Sequence, residues 1–291
     1  MEFKGIFTAL ITPFKDGNVD EQAFGDFVAW QVEQGVHGVV PCGTTGESPT
    51  LSHDEHMRLT EIAVDAAAGK AAVMAGTGSN STAEAIRLIQ HAEKAGADAA
   101  LSVAPYYNKP TQEGIYQHYK AINDATGLPI FIYNIPGRSV INVTDETLAR
   151  LSELPNIVGV KDATGDLTRP YMLRAAGGES LTQFTGEDLT AVAFNAAGGH
   201  GCISVVSNLM PKRTAEIQEA CMRGDFAQAA TMQEELVMLC DVLFSETSPS
   251  PAKYALSLMG KCSAELRLPL VQPSDKVKEN ITKAIKQLSL I

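Results

Sequence analysis

A strand-then-helix unit recurs eight times between Gly5 and Val206, and this recurrence limits the fold more than any short motif does. Apolar, β-branched runs begin at Gly5, Gly38, Ala71, Asp98, Pro129, Asn156, Leu181 and Gly201. Such runs suit strands buried on both faces. Between them lie segments with apolar residues at helical spacing. Asp20, Ser52 and Thr144 stand where N-caps belong, with Glu55 completing a capping box, and Gly35, Gly96 and Gly127 stand where helices stop. The spacing fits parallel βαβ crossovers. Eight such units close into an α/β fold of the (β/α)8 TIM-barrel type. A doubly wound open sheet is the alternative, and it usually has fewer strands. From about Pro211 the periodicity is helical only, with segments near 212–222, 225–244, 251–259 and 274–289. Gly224-Asp225 is a natural boundary. The expected organisation is therefore a catalytic barrel over 1–224 and a C-terminal helical domain over 225–291, the kind of appendage that often serves assembly.

Composition narrows the partners. Net charge is −11 with no basic run or stripe, which argues against a nucleic-acid surface. No apolar run reaches membrane-spanning length, and Met1-Glu2-Phe3-Lys4-Gly5 has no signal-peptide pattern. Cys42, Cys202, Cys221, Cys240 and Cys262 are widely spaced, without a Cys-x-x-Cys or Cys/His cluster. Neither a disulfide framework nor a zinc site is suggested. These features suggest a reduced, cytoplasmic, soluble protein.

Barrels of this type carry their chemistry at the C-terminal ends of the strands. That rule selects Thr44 and Thr45 after strand two, Tyr106 and Tyr107 after strand four, and Tyr133 on strand five with Arg138 just beyond. It also selects Lys161 on strand six, Gly186 after strand seven, and Ile203 and Ser204 on strand eight. Lys161 closes the run Asn156-Ile157-Val158-Gly159-Val160-Lys161. At the mouth of a buried strand, desolvation favours a neutral amine, which is a nucleophile. The set lacks the His, Cys, Asp and Glu cluster of a metal site. Gly76-Thr77-Gly78 lacks the third glycine of a dinucleotide fingerprint, so neither metal nor organic cofactor is expected. The chemistry that suits these groups is carbonyl chemistry through an imine, with hydroxyls passing protons. Taken singly, each residue also has a plainer role. Thr44 and Thr45 could cap the next helix, and Tyr133 could be a core ring. Tyr107 could be loop packing, Arg138 a solvated charge, and Lys161 a head reaching back to water. Their convergence on one face is what favours a site.

The stretches Gly43-Thr44-Thr45-Gly46-Glu47, Tyr133-Asn134-Ile135-Pro136-Gly137-Arg138 and Gly159-Val160-Lys161 resemble the dihydrodipicolinate synthase family of the N-acetylneuraminate lyase-like class I aldolases. The resemblance runs along nearly the whole chain. The first and last stretches mark the superfamily; Gly137-Arg138 points to the synthases rather than to lyases of 2-keto sugar acids, the alternative activity. The resemblance implies a lyase that condenses pyruvate with L-aspartate β-semialdehyde and cyclises the product, on the route to diaminopimelate and lysine. It implies a homotetramer, a dimer of dimers, with no cofactor. It assigns Lys161 to the Schiff base and Tyr133 to proton transfer. Thr44 would link Tyr133 to Tyr107 from the neighbouring subunit. Thr45 would bind the pyruvate carboxylate, Arg138 the semialdehyde carboxylate, and Gly186 and Ile203 would contribute backbone groups.

The same resemblance offers a regulatory site for L-lysine, with feedback inhibition expected. Its positions are Ser48, His53, His56, Asn80, Glu84 and Tyr106, with Glu84 placed to pair with an ammonium. Position 49 is proline, where a small residue such as alanine belongs to the pattern.

Overall fold

All eight expected strands form and close on themselves in parallel, in a computed structural model that describes residues 2–291. They are β1 (Gly5–Ala9), β2 (Gly38–Val40), β3 (Ala72–Gly76), β4 (Ala99–Val103), β5 (Ile130–Asn134), β6 (Ile157–Asp162), β7 (Thr182–Thr185) and β8 (Gly201–Ser204). Each strand pairs with its neighbours in sequence, and β8 returns to β1. This is a TIM barrel, with helices between successive strands. The Asp16-Gly17 turn, both residues at positive φ, joins a small antiparallel ribbon of Phe14–Lys15 and Asn18–Val19 before α1 (Glu21–Glu33). Asp20 caps α1 by accepting the Ala23 N–H at 3.0 Å. Ser52 and Glu55 form the expected capping box of α2 (His53–Ala67).

Alternation along the strands divides the apolar residues into two cores. One set fills the barrel interior, where Phe7, Phe131 and Phe184 are fully buried and pack edge to face. Each such ring contributes roughly 1.5–3 kcal/mol by leaving water. A side chain at Gly159 would lie 2.2 Å from the Phe131 ring, so the glycine makes room for the phenylalanine opposite it. Above this floor, at the C-terminal ends, the inward column continues with Tyr133 and Lys161, which are register partners. The second core lies between the sheet and the helices and continues into the C-terminal segment through Leu236, Leu239, Ala252, Leu256 and Ile281.

The tail departs from the expected pattern in one place. The helix expected over 225–244 is two helices, Phe226–Glu234 and Val237–Leu243, separated by a turn at Glu235-Leu236. Leu236 is buried there while Glu235 forms an ion pair with Arg213, so the turn sends one residue inward and the other outward. The helices Ser250–Leu258 and Asp275–Gln287 follow. Among the described residues no helix is long and apolar enough to cross a membrane.

Candidate active site

The ends of β5 and β6 organise the site. Tyr133 and Lys161 face into the barrel, and Lys161 Nζ lies 4.1 Å from the Tyr133 ring centroid. Both side chains are buried, and among the described residues Lys161 forms no salt bridge. The residues after them, Asn134 and Asp162, face the helices. There Asp162 Oδ2 accepts from Arg169 Nε at 3.1 Å and from Asn134 Nδ2 at 3.3 Å. Arg169 also reaches Asp145 at 3.0 Å and donates to the Val143 carbonyl at 3.0 Å. Strand alternation thus puts the Lys161 amine on one side of the sheet and an ion-paired brace on the other. Sequence reasoning missed this brace, although an Asn and an Asp at equivalent ends of adjacent strands hinted at it.

Gly186 borders Lys161 from β7. A Cβ at this position would come within 2.9 Å of Lys161 Cε and 2.8 Å of Ala163 Cβ. Its N–H donates to the Asp162 carbonyl at 2.7 Å, which holds the glycine against the lysine stem. Ile203 is buried in the barrel interior on β8. Ser204, beside it, donates to the buried carboxyl of Asp188. Asp188 also accepts the Val205 N–H at 2.9 Å, joining the exits of β7 and β8. Burial pushes the carboxyls of Asp188 and Glu187 above the usual carboxylate range, and the positive charge of Lys161 opposes both shifts.

Thr44 lines a groove of 390 Å³ together with Arg138, and Thr45 is buried next to it. Arg138 is exposed, and its Nη2 donates to the Ser248 carbonyl at 3.2 Å. The groove extends past Ser48, Pro49, His53, His56, Glu84 and Tyr106. Five of the six positions expected for a regulatory site, all but Asn80, therefore share one depression with Thr44 and Arg138. Glu84 accepts from the Ser79 hydroxyl and lies 2.5 Å from His53 Nε2; these two partners, Ser79 first, hold its carboxyl below the usual range. Asn80 Nδ2 donates to the Tyr106 carbonyl at 3.1 Å. Burial pushes the His56 imidazole down to about 4, so it faces the groove as a neutral ring at neutral pH. Tyr107 is 89% exposed with φ at +70°, and among the described residues its hydroxyl meets neither Thr44 nor Tyr133. Among the described residues no group of three or more His, Cys, Asp or Glu side chains is arranged to hold a metal ion.

Comparison with known proteins gives this geometry its context. The model of the dihydrodipicolinate synthetase family matches residues 2–288. The 4-hydroxy-tetrahydrodipicolinate synthase of Afipia carboxidovorans is 56% identical over 290 residues, covering 100% of this chain and 98% of the relative. The crystal structure of dihydrodipicolinate synthase from Aquifex aeolicus is 42% identical and superposes with a TM-score of 0.97 over 99% of each chain. A structure of the enzyme from Cyanidioschyzon merolae with lysine bound is 37% identical, with a TM-score of 0.96 over 99% of each chain. The chain belongs to the dihydrodipicolinate synthetase family.

Proposed function

We propose that the 4-hydroxy-tetrahydrodipicolinate synthase activity of this chain runs through an imine on Lys161. One observation carries the reading. The Lys161 amine stands above the aromatic floor, 4.1 Å from the Tyr133 ring centroid, with a glycine where a side chain would crowd its stem. As the free amine, Lys161 attacks the keto carbon of pyruvate. Water leaves and an iminium forms, an electron sink that makes the methyl protons acidic. Loss of one such proton gives an enamine, whose carbon attacks the aldehyde of L-aspartate β-semialdehyde while the aldehyde oxygen takes up a proton. The semialdehyde's own amine then adds to the iminium carbon. Its bond to Lys161 breaks as the ring imine forms, and Lys161 leaves as the amine. Tyr133 exchanges protons in these steps, with Thr44 and the Tyr107 of a neighbouring subunit completing the relay. Thr45, Gly186 and Ile203 seat the pyruvate unit. Arg138 offers a planar fork to the second carboxylate, which a lysine matches less well.

The same reading makes the protein a homotetramer of two tight dimers, with the exposed Tyr107 at a meeting surface. It assigns the outer groove to L-lysine as inhibitor, with Glu84 facing an ammonium, and the lysine-bound relative supports that assignment. It assigns the reaction to the cytoplasm, which five free cysteines support. Borohydride added with pyruvate should fix a stable mass on the peptide carrying Lys161. Active enzyme that takes no label, or takes it elsewhere, rules out the imine. Millimolar lysine that leaves the rate unchanged rules out the regulatory reading.

A further inference from the structure

The loop Gly43–Glu47 ends on a carboxylate with no exposed surface, paired with a lysine that has none either. Glu47 Oε1 lies 2.7 Å from Lys253 Nζ, and Oε2 accepts the backbone N–H of Arg267 at 3.1 Å. Both partners belong to the C-terminal segment, 206 and 220 residues further along the chain. On its other side, Glu47 is tied to the threonines. Its N–H donates to the Thr44 carbonyl at 3.1 Å, and Gly46 N–H donates to the Gly43 carbonyl at 3.1 Å. Thr12 Oγ1 donates to the Gly46 carbonyl at 2.7 Å. Among the described residues, the loop's hydrogen bonds run through its backbone and Glu47, and none through the Thr44 or Thr45 hydroxyl. The placement of those two side chains therefore follows the loop backbone, which the buried pair anchors.

A buried ion pair is a poor source of stability, because desolvation offsets much of the attraction and an apolar pair of equal volume often does as well. Its distinctive property is geometric. An uncompensated charge in that interior is costly, so the two groups have one acceptable arrangement. We propose that Glu47 and Lys253 are a positioning pair for the reaction, through which the C-terminal segment holds the Thr44 and Thr45 hydroxyls in register with Lys161. The proposal rests on the assignment of those threonines to pyruvate and to the proton relay.

The test uses Glu47→Gln and the double variant Glu47→Gln with Lys253→Met in the full-length protein. Glu47→Gln keeps the volume and leaves Lys253 buried without a counter-charge, so its melting temperature should fall. The double variant leaves no charge there, and its melting temperature should return toward that of the parent. In both variants the KM for pyruvate should rise and kcat should fall, with kcat/KM down roughly 10- to 100-fold, the size of effect a displacement of about 1 Å produces. Stability would then recover while kinetics do not. The double variant becoming kinetically normal as it regains stability would overturn the proposal, as would parental kinetics in either variant. If one variant does not fold, the other is decisive by the same kinetics. Borohydride labelling of the parent separates this proposal from the reading beneath it. A parent that is not labelled at Lys161 removes the site assignment, whereas a labelled parent with kinetically normal variants removes only the positioning pair.

Discussion

Two lysines of this chain lie buried with Nζ 4.1 Å from an aromatic ring centroid, Lys161 over Tyr133 and Lys253 over Phe14. Their surroundings otherwise differ. Lys253 is wholly buried within a helix of the tail and ion-paired to Glu47 at 2.7 Å. Burial pushes its ammonium below the ordinary range, and Glu47 opposes that shift. Lys161 ends an inward-facing column at the barrel mouth, 7% exposed, with a glycine against its stem and no salt bridge among the described residues. A lysine held by a carboxylate in a closed interior is a fixed strut. A lysine without that partner, at an open strand end, is free to form and break a bond to carbon. Burial alone does not distinguish the two; the partner and the access do.

Exchanging the losses tests this contrast most strongly. Lys161→Ala should lower kcat by at least about 10³-fold while the urea midpoint stays the same or rises, since no ion pair is lost. Lys253→Ala should do the reverse, costing about 3–5 kcal/mol of stability by leaving Glu47 buried and uncompensated. The folded variant should still take the pyruvate label at Lys161. Equal destabilisation by the two substitutions, or loss of labelling in Lys253→Ala, would break the comparison.

Most of the first region was legible in the sequence, and almost none of the second. The strand runs and the helix caps are local patterns, so the barrel followed from them, and the end-of-strand rule then selected Lys161, Tyr133, Thr44 and Arg138. Lys253 lies in Ser-Pro-Ala-Lys-Tyr-Ala-Leu-Ser-Leu, where a single lysine suggests an exposed position on an amphipathic helix. Its burial depends on a carboxylate 206 residues away, a separation that no local pattern reports. The same applies to the carbonyl of Ser248 beneath Arg138, 110 residues apart. Tyr107 is a different case. Its place at a strand exit was legible, but its side chain is 89% exposed, so no contact within the chain bears on the relay role proposed for it.

Arg138 sharpens the comparison as a third cation, neither buried nor ion-paired among the described residues, whose recorded bond is to one backbone carbonyl. A guanidinium so lightly tied is available to a ligand. Arg138→Ala should raise the KM for the semialdehyde roughly 10- to 100-fold, the value of a charge-assisted hydrogen bond or two, and lower kcat. The KM for pyruvate should change far less. Steady-state kinetics with each substrate varied in turn measure both, and equal losses would count against the assignment.

A last expected effect, read in stability rather than kinetics, concerns a buried base with no counter-charge at all. His118 is 6% exposed; its Nδ1 meets Thr82 Oγ1 at 2.9 Å, and its Nε2 has no partner among the described residues. Desolvation, unopposed, pushes its imidazole down to about 4 from an ordinary value of 6.5. Below pH 6.5 the unfolded chain therefore takes up a proton that the folded chain refuses until about pH 4, so stability falls as pH drops through this window. The full difference amounts to about 3 kcal/mol. His56, also pushed down to about 4, adds a slope of the same sign, whereas Asp188 and Glu187, pushed up by burial, act in the opposite direction. The informative quantity is accordingly a difference between proteins. Urea midpoints of the parent and of His118→Gln should diverge between pH 7 and pH 4.5, with the variant losing less stability on acidification. Parallel curves would mean that the unpaired ring is not kept neutral by burial.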